Sequence, residues 1–524
     1  MSLVKSTATI GGYTLLSRVL GFVRDVTIAS SLGASFLSDA FFVAFKLPNF
    51  LRRLFAEGAF NSAFVPLFAG MLAVDGKEKA RDFASEAMSF LLLILLIVTA
   101  IFIIAMPYLM YILAPGFSDN PDKFELTVTL TRITMPYIIF ISLVSLLGGI
   151  LNSSDKFAAV AATPIIMNLC LIIVPYFIDG LTPTGAHALA IAVTVSGVAQ
   201  WLWLVRFCRR QNMLPKLVRP RLTPEVKKLL VLIAPAALGA GVAQINLFID
   251  LIIASQFDSG VSYLYYADRI SELPLAVIGI AVGTALLPML SRQVREGKRE
   301  ESFHSQNRAM ELALFLSIPA AVALFVIAQP IISVMFERGK FMESDTIATF
   351  HTLMAFALGL PAFILVKILA PAFYANQDTK TPFKIATLCI GVNLAFNLLL
   401  MVPLQYVGMA LATSIASWVN VVLMARTLKA RGWLVIERRL ITQLIKILSG
   451  SLIMAAVLYF ITPMLAPYME RGMHSLSRFT ALIVLACTGG AVYLAVSFAL
   501  NILHSRTVVM GKIKGRKHAK NSRG

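Results

Sequence analysis

The sequence has few charged residues and few cysteines for its length. Of its 524 residues 14% are charged and 58% are hydrophobic, and apolar runs of about twenty residues recur along the chain. Soluble domains carry about 25% charged residues, so this composition excludes an ordinary soluble protein. The four cysteines form no CxxC motif and lie in or beside apolar runs, with no histidine at metal-ligand spacing. We expect them to be packing residues.

The motifs of several enzyme classes are also missing. The sequence contains no aspartate-rich DDxxD, no phosphate-binding GxxxxGK, no HExxH and no nucleophile elbow. Its six histidines are dispersed among span ends, loops and the C-terminal tail. We therefore expect no catalytic residues and no cofactor, and we expect the membrane-embedded part of the chain to carry the function.

Long apolar runs dominate the sequence. They predict an all-α polytopic membrane protein with about fourteen transmembrane helices, because a helix satisfies all its backbone hydrogen bonds within lipid. The candidate spans are centred within residues 8–30, 36–68, 84–113, 124–151, 158–178, 185–205, 229–256, 261–290, 310–335, 347–374, 383–402, 407–425, 441–464 and 479–503.

Two polar, basic segments divide these spans into groups of six, six and two. The predicted domains are an N-terminal lobe at 1–208, a basic cytoplasmic linker at 209–228, a C-terminal lobe at 229–431, two further helices at 440–504 and a basic tail at 505–524. The Leu-Pro pair at 47–48 recurs at 273–274, and Asn168 recurs as Asn393. This nearly constant offset predicts two pseudo-symmetric lobes of six helices each.

The net charge of +19 reports membrane topology. Under a topology with the N-terminus inside, 32 of the 46 Lys and Arg fall in the N-terminus and alternate loops, and 5 fall in the opposite loops. The positive-inside rule then predicts that both termini are cytoplasmic. Because topology accounts for the basic residues, we expect no nucleic-acid partner.

Nine cations remain within or at the edges of spans. They are Arg18, Arg24, Lys46, Arg52, Arg53, Arg132, Arg269, Lys367 and Lys446. A charge at the bilayer centre costs about 2.5–3.5 kcal/mol, so several of them without a purpose would be expensive. Near the arginines of spans one, two and eight lie the acids Asp25, Asp39, Glu57, Asp268 and Glu272. The spacing predicts that Arg269 pairs with Glu272.

Two interpretations of these charges stay open on the residues alone. They could form a paired network that merely joins the two halves. Alternatively, they could line a hydrated central cavity in which guanidinium groups bind a phosphate or pyrophosphate, with the carboxylates as partners when the cavity is empty.

Several segments resemble those of one family. They are SRVLGFVRD at 17–25, SDAFFVAFKLPNFLRRLFAEGAFNSAFVP at 38–66, APGF at 114–117, YYADRISELP at 265–274 and LAPAFYANQDTKTP at 369–382. They are similar to the motifs of the MurJ (MviN) family of lipid II flippases, which belongs with the MATE multidrug exporters to one superfamily, called MOP. The resemblance implies two six-helix lobes around a central cavity and two C-terminal helices that form a groove for a lipid tail.

The resemblance also implies roles for particular residues. The implied substrate-binding residues are Ser17, Arg18, Arg24, Arg52 and Arg269, and the implied gating residues are Asp25, Asp39, Asp268, Glu272 and Ser262. Asp39 and Asp268 would hold Arg24 when the outer side is closed. Some relatives hold sodium, and the corresponding oxygen ligands here are Asp250, Asn393, Asn397 and Thr413. Because only one of these is a carboxylate, a tight sodium site is not expected.

The implied function is transport of lipid II, the undecaprenyl-pyrophosphate-linked peptidoglycan precursor, across the bacterial inner membrane by alternating access. The expected partners are lipid II and membrane lipids, with the cell-wall synthesis machinery as a further candidate. Coupling to sodium, protons or the membrane potential stays open.

Three alternatives compete with this function. A MATE-like, cation-coupled exporter would carry another polyprenyl-linked saccharide or an amphiphile, although many arginines would repel a cationic drug. A membrane enzyme acting on a polyprenyl pyrophosphate would need an acid, a base or a metal cluster. A scaffold would use the charges only to join helices.

Overall fold

The regular structure is helical throughout the residues that the computed structural model describes, which are 3–52 and 60–502. Within them lie 17 α-helices and two short 3-10 helices, which confirms the predicted all-α class. The predicted basic tail at 505–524, Arg53 and Glu57 lie outside the described residues.

The first ten helices extend from the N-terminus to beyond the basic linker. They are α1 (Leu3–Leu32), α2 (Phe36–Leu51), α3 (Phe60–Val74), α4 (Lys77–Leu113), α5 (Pro121–Thr134), α6 (Tyr137–Asn152), α7 (Phe157–Ala161), α8 (Thr163–Ile178), α9 (Gly185–Arg210) and α10 (Pro224–Ala254), with 3-10 helices at Pro115–Asp119 and Asp179–Leu181. Predicted spans four and five are thus pairs of helices rather than single ones.

The remaining seven helices complete the described chain. They are α11 (Gly260–Arg295), α12 (Arg299–Val326), α13 (Ala328–Phe336), α14 (Glu343–Ala375), α15 (Lys380–Ala430), α16 (Arg438–Met469) and α17 (Ser475–Ala499). Predicted spans eleven and twelve both fall within α15, whose 51 residues are bent at Gln405, where φ is 48°. Nine helical segments of the described chain are long and apolar enough to cross a membrane. The helix α1 is long enough but carries Arg18, Arg24 and Asp25, which lower its hydropathy.

Local sequence signals explain how two functionally placed helices begin. Before α5, the side chain of Asn120 accepts the backbone N–H of Lys123 at 3.1 Å, and Pro121 occupies the first helical position. Before α10, Thr223 caps the helix in the same way and Pro224 follows it. These caps fix Lys123 in the first turn of α5 and set the end of the linker.

The chain divides into two compact units. The first unit consists of Met1–Tyr265 with Phe336–Asp345, and the second of Tyr266–Met335 with Thr346–Gly524. In the first unit α2 packs against α5 and α9, α1 against α8, and α10 against α3 and α4. In the second unit α12 packs against α16, and α16 against α17. The compact units therefore divide at Tyr265, whereas the boundaries of the predicted lobes stay a prediction.

Candidate functional site

Arg24 of α1 lies at the centre of a buried hydrogen-bond network in the first unit. Its Nε and Nη2 donate to Oδ1 of Asp25 at 3.0 and 2.7 Å, and its Nη1 donates to Oδ1 of Asn168 at 3.0 Å. Arg24 and Asp25 are 6% and 3% exposed, respectively. The cation is therefore stabilised by a neighbouring carboxylate and an amide from α8.

Tyr265, at the first unit's boundary in α11, completes this network. Its hydroxyl donates to Oδ1 of Asp25 at 2.9 Å and lies 3.4 Å from Nη2 of Arg24, while its ring stacks on Phe42 of α2 at 3.9 Å. Asn168 also donates to the carbonyl of Ser17 at 2.9 Å. A phosphate oxygen has the same acceptor chemistry as the Asp25 carboxylate, so an anion could exchange with Asp25 at the Arg24 guanidinium.

A second buried ion pair joins α2 to α5. Nζ of Lys123 lies 2.8 Å from Oδ2 of Asp39, and these side chains are 6% and 0% exposed. The other carboxylate oxygen, Oδ1, accepts the N–H and the hydroxyl of Ser262 at 2.9 and 2.6 Å. Ser38 adds a hydroxyl contact to Ser262 at 2.8 Å. One carboxylate thus fixes the start of α11 and neutralises a lysine.

The predicted role of Asp39 and Asp268, which is to hold Arg24 when the outer side is closed, stays a prediction. Both carboxylate oxygens of Asp39 are taken by Lys123 and Ser262, whereas the Arg24 guanidinium is held by Asp25 and Asn168. The role of Lys123 as a partner was not predicted, because this residue directly precedes predicted span four and was counted among the basic residues of the loops. The capped start of α5 at Pro121 instead brings Lys123 into the helix.

The APGF segment at 114–117 supports this second pair. The ring of Phe117 lies under Nζ of Lys123, 4.1 Å away, in a cation–π contact. The N–H of Gly116 donates to Oγ of Ser255 at 3.2 Å, and a Cβ at position 116 would lie only 2.3 Å from the Ser255 carbonyl oxygen. Glycine is therefore required where this turn meets the end of α10.

The other predicted residues of the first unit are more open. Arg18 is exposed and Ser17 is half-buried. Arg52, at the end of α2, donates from Nε to Oδ1 of Asn49 at 2.9 Å and lines a cavity of about 310 Å³. Other residues lining this cavity include Asn61, Ser145, Asn152, Thr163 and Gln200. Arg52 therefore borders a space with several polar groups, large enough for part of a polar ligand.

The remaining predicted arginine and its partner lie in the second unit. Nη1 of Arg269 contacts Oε2 of Glu272 at 3.1 Å, which confirms the predicted pair one turn apart in α11. Asp268 is exposed beside them. Each unit thus contains a predicted arginine that is paired with a carboxylate, Arg24 with Asp25 in the first unit and Arg269 with Glu272 in the second.

Three of the four predicted sodium ligands form a hydrogen-bonded chain in the second unit. Asn397 donates to Oδ1 of Asn393 at 3.0 Å, and Asn393 donates to Oγ1 of Thr413 at 3.2 Å. Asp250 lies in the first unit, where it accepts from Asn246 at 3.2 Å. Because the amide and hydroxyl groups bind one another, this arrangement fits polar packing better than a tight sodium site. Sodium binding stays a prediction.

The LAPAFYANQDTKTP segment ends in an ion pair outside the spans. Asp378 accepts the N–H of Thr381 at 3.0 Å and pairs with Arg431, whose Nη2 donates to Oγ1 of Thr381 at 2.8 Å. Hydrogen bonds from Thr381, assisted by the Arg431 charge, lower the pKa of Asp378 from 3.8 to about 2. The segment therefore joins the start of α15 to its end.

Comparison with known proteins identifies the family. The family model described as "Lipid II flippase MurJ" matches residues 28–479. A "Probable lipid II flippase MurJ" of Rhizobium tropici is 42% identical over 504 residues, with 95% of each chain covered. The "Lipid II flippase MurJ" of Burkholderia cenocepacia is 36% identical over 437 residues, with 82% of this chain and 85% of the relative covered.

Solved structures agree with the sequence relatives. A structure titled "Lipid II flippase MurJ, inward closed conformation" superposes with a TM-score of 0.77 at 28% identity, covering 93% of this chain and 97% of that one. An inward-facing MATE multidrug transporter of the MOP superfamily superposes with a TM-score of 0.66 at 15% identity, covering 81% and 98% of the two chains, which shows a shared fold. The chain is a multi-pass membrane protein and belongs to the MurJ family of lipid II flippases.

Proposed function

We propose that the protein moves lipid II from the cytoplasmic to the outer leaflet of the bacterial inner membrane by alternating access. The observation that carries the proposal is the buried Arg24 network in a chain of this family, because a guanidinium held by one carboxylate can exchange that partner for a phosphate. Both termini are then cytoplasmic, as the distribution of basic residues predicts. The cell-wall synthesis machinery is a candidate partner.

In this mechanism Arg24 binds the pyrophosphate of lipid II. Its planar guanidinium already donates from two nitrogens to Asp25, so the same fork can donate to two phosphate oxygens. Asp25 would return to Arg24 after release, which avoids leaving a bare cation in the membrane. Arg52 and Arg269 would contact the same head group, with Arg18 and Ser17 assisting. No covalent bond is made or broken.

The contacts of Asp39 with Lys123 and Ser262 would hold the outer side closed. Ser262 binds Asp39 through two hydrogen bonds, and these must break if the start of α11 moves away during opening. Lys123 would then remain beside Asp39 and keep the buried carboxylate paired in both states. We therefore assign Lys123 a positioning role in gating, beside the predicted residues Asp39 and Ser262.

The membrane potential offers a driving force. With the interior negative, outward movement of an anion gains about 2.3 kcal/mol per charge per 100 mV. Arginines that moved with the anion would cancel part of this gain. No step requires sodium, and replacing sodium by choline during transport, in the native chain and in Asp250→Asn, tests sodium coupling separately.

The decisive experiment measures which leaflet holds lipid II in cells depleted of the protein and lacking any substitute flippase. We expect lipid II to accumulate inside, the native gene to restore export, and the Arg24→Ala/Asp25→Ala double variant to be stably inserted but inactive. Because the double variant removes the buried cation together with its neighbouring carboxylate, and its stable insertion is measured, its failure would report a lost binding group rather than a misfolded protein.

A matched control removes an exposed ion pair. Arg292 and Glu296 form such a pair at 2.8 Å at the end of α11, and Arg292→Ala/Glu296→Ala should export normally. Normal export in depleted cells would refute the function, whereas full rescue by the Arg24/Asp25 double variant would refute only the arginine mechanism. Export of another polyprenyl-linked saccharide in place of lipid II would favour the MATE-like alternative.

A further inference from the structure

The basic linker between α9 and α10 is fixed against α4 in the first unit. Residues 213–223, which we call the strap, have no regular secondary structure. The N–H of Lys216 donates to Oγ of Ser85 at 2.9 Å, and the N–H of Val218 donates to Oγ of Ser89 at 2.9 Å. Hydrogen bonds from two residues of the strap to successive turns of α4 hold its backbone in an extended form.

The strap then turns back along the same helix. After Val218 contacts Ser89, the hydroxyl of Thr223 donates to Oε2 of Glu86 at 2.8 Å, one turn closer to the start of α4. Residues 219–222 therefore form a short bend at the level of Ser89. This bend is anchored at both ends.

The position of Ser89 along α4 defines the depth of this bend in the membrane. The first ten residues of α4 contain six charged side chains, whereas residues 87–113 contain none. Ser89 thus lies where the polar part of the helix meets its apolar run. Most of this apolar run is not buried against the described protein, as expected of a helix that faces lipid. The bend therefore lies at the height of the lipid head groups.

The outward side of the strap has the composition of an interfacial segment. Leu217 and Leu222 are 69% and 59% exposed, and they alternate with the exposed cations Lys216, Arg219 and Arg221. Long basic side chains can extend their charge to phosphate groups while apolar neighbours enter the acyl boundary. A soluble environment would leave these leucines in water.

The strap and its flanks carry mainly positive charge. Its flanks and centre carry eight exposed cations, namely Arg206, Arg209, Arg210, Lys216, Arg219, Arg221, Lys227 and Lys228. Across 206–228 the only acidic residue is Glu225. Such a surface attracts anionic lipids by about 1 kcal/mol for each basic residue near the membrane.

We propose that the strap is a binding site for anionic phospholipid head groups on the side of the membrane predicted to be cytoplasmic. Arg219 and Arg221 contact the phosphates, Leu217 and Leu222 enter the lipid, and Ser85 and Ser89 hold the backbone in place. The site fixes the depth of the first unit at this face. It is separate from the Arg24 network and does not depend on lipid II.

The first test locates the strap in a bilayer. The four cysteines are replaced by alanine, Leu222→Cys is introduced, and a nitroxide on it is examined in nanodiscs of phosphatidylcholine with and without phosphatidylglycerol. We expect the label to be accessible to oxygen and shielded from a water-soluble nickel complex in the anionic discs, and less so in the zwitterionic discs. Nickel accessibility in both would overturn the proposal and leave the strap for a soluble partner.

The second test measures head-group selectivity. Phosphatidylglycerol is titrated into labelled protein in zwitterionic detergent micelles. The Arg219→Gln/Arg221→Gln variant should require about 30-fold more of the lipid for the half-maximal change, because two cations are lost. The Arg292→Gln/Arg295→Gln control removes the same charge from α11 and should leave the midpoint unchanged. Equal midpoints for both double variants, or a label buried without anionic lipid, would overturn the proposal.

Discussion

The ion pairs of the candidate site differ in exposure between the two units. In the first unit the side chains of Lys123 and Asp39 are 6% and 0% exposed, and those of Arg24 and Asp25 are 8% and 4% exposed. In the second unit the pair of Arg269 and Glu272 is 33% and 48% exposed. At the candidate site these ion pairs are thus enclosed in the first unit and accessible in the second.

This difference separates stability from function. A buried pair that loses one partner leaves an uncompensated charge, which costs about 3–5 kcal/mol. An exposed pair contributes about 0–1 kcal/mol. Truncation in the first unit therefore tests folding and transport together, whereas truncation of Arg269 tests transport with little effect on folding.

Lys123→Met should have the largest effect on stability. It leaves Asp39 buried without its cation, so we expect a loss of about 3–5 kcal/mol and a clear fall in melting temperature in detergent. The Lys123→Met/Asp39→Asn variant removes both charges and should recover most of that loss. Equal melting temperatures for the single and double variants would contradict this comparison of the two units, because the unpaired buried carboxylate of Asp39 would then not be what destabilises the single variant.

Gly116→Ala should have the next largest effect, through the backbone that encloses the Lys123 pair. The added Cβ would lie 2.3 Å from the Ser255 carbonyl oxygen, and a backbone atom cannot move aside as a side chain can. We expect a loss of about 1–3 kcal/mol in thermal unfolding. Gly180→Ala, in the other 3-10 helix, is the control because its Cβ would meet nothing within 4 Å. Equal stability of the two variants would contradict the requirement for glycine.

Arg269→Gln tests whether the accessible ion pair of the second unit matters for transport rather than for stability. Its pair with Glu272 is accessible, so the melting temperature should change by no more than the equivalent of about 1 kcal/mol. Transport of lipid II, measured by its leaflet distribution, should nevertheless fall strongly, because the guanidinium is proposed to bind the head group. A large loss of stability with normal transport would show that Arg269 stabilises the fold and does not bind the head group.

Much of the fold could be predicted from hydropathy. Each of the fourteen candidate spans contains described helical residues, because apolar runs in lipid have few alternatives to helix. The number of separate helices could not be predicted in the same way. Breaks near Pro136, Ala162 and Ile327 divide three spans, whereas α15 continues through two predicted spans with a bend at Gln405.

The candidate site was predictable where contacts are local. The pair of Arg269 and Glu272 follows from helical spacing, since residues three apart lie on the same face. Lys123 and Asp39 are 84 residues apart, and only the packing of α5 on α2 brings them together. Asn168 stood out in the sequence as a repeat position, but its contact with Arg24 depends on α1 packing against α8.

The smallest expected effect concerns the accessible pair of Asp378 and Arg431, outside the spans. The pKa of Asp378 is lowered from 3.8 to about 2, so the folded state favours the ionised carboxylate. This contribution is fully present above pH 4 and is lost as the pH falls from about 4 through about 2. Asp378→Asn should therefore have a slightly lower melting temperature than the native chain at pH 7. This difference in melting temperature should disappear as the pH falls from about 4 to about 2. A difference in melting temperature that persists at pH 2 would show that Asp378 stabilises the end of α15 through packing or neutral hydrogen bonds rather than through its charge.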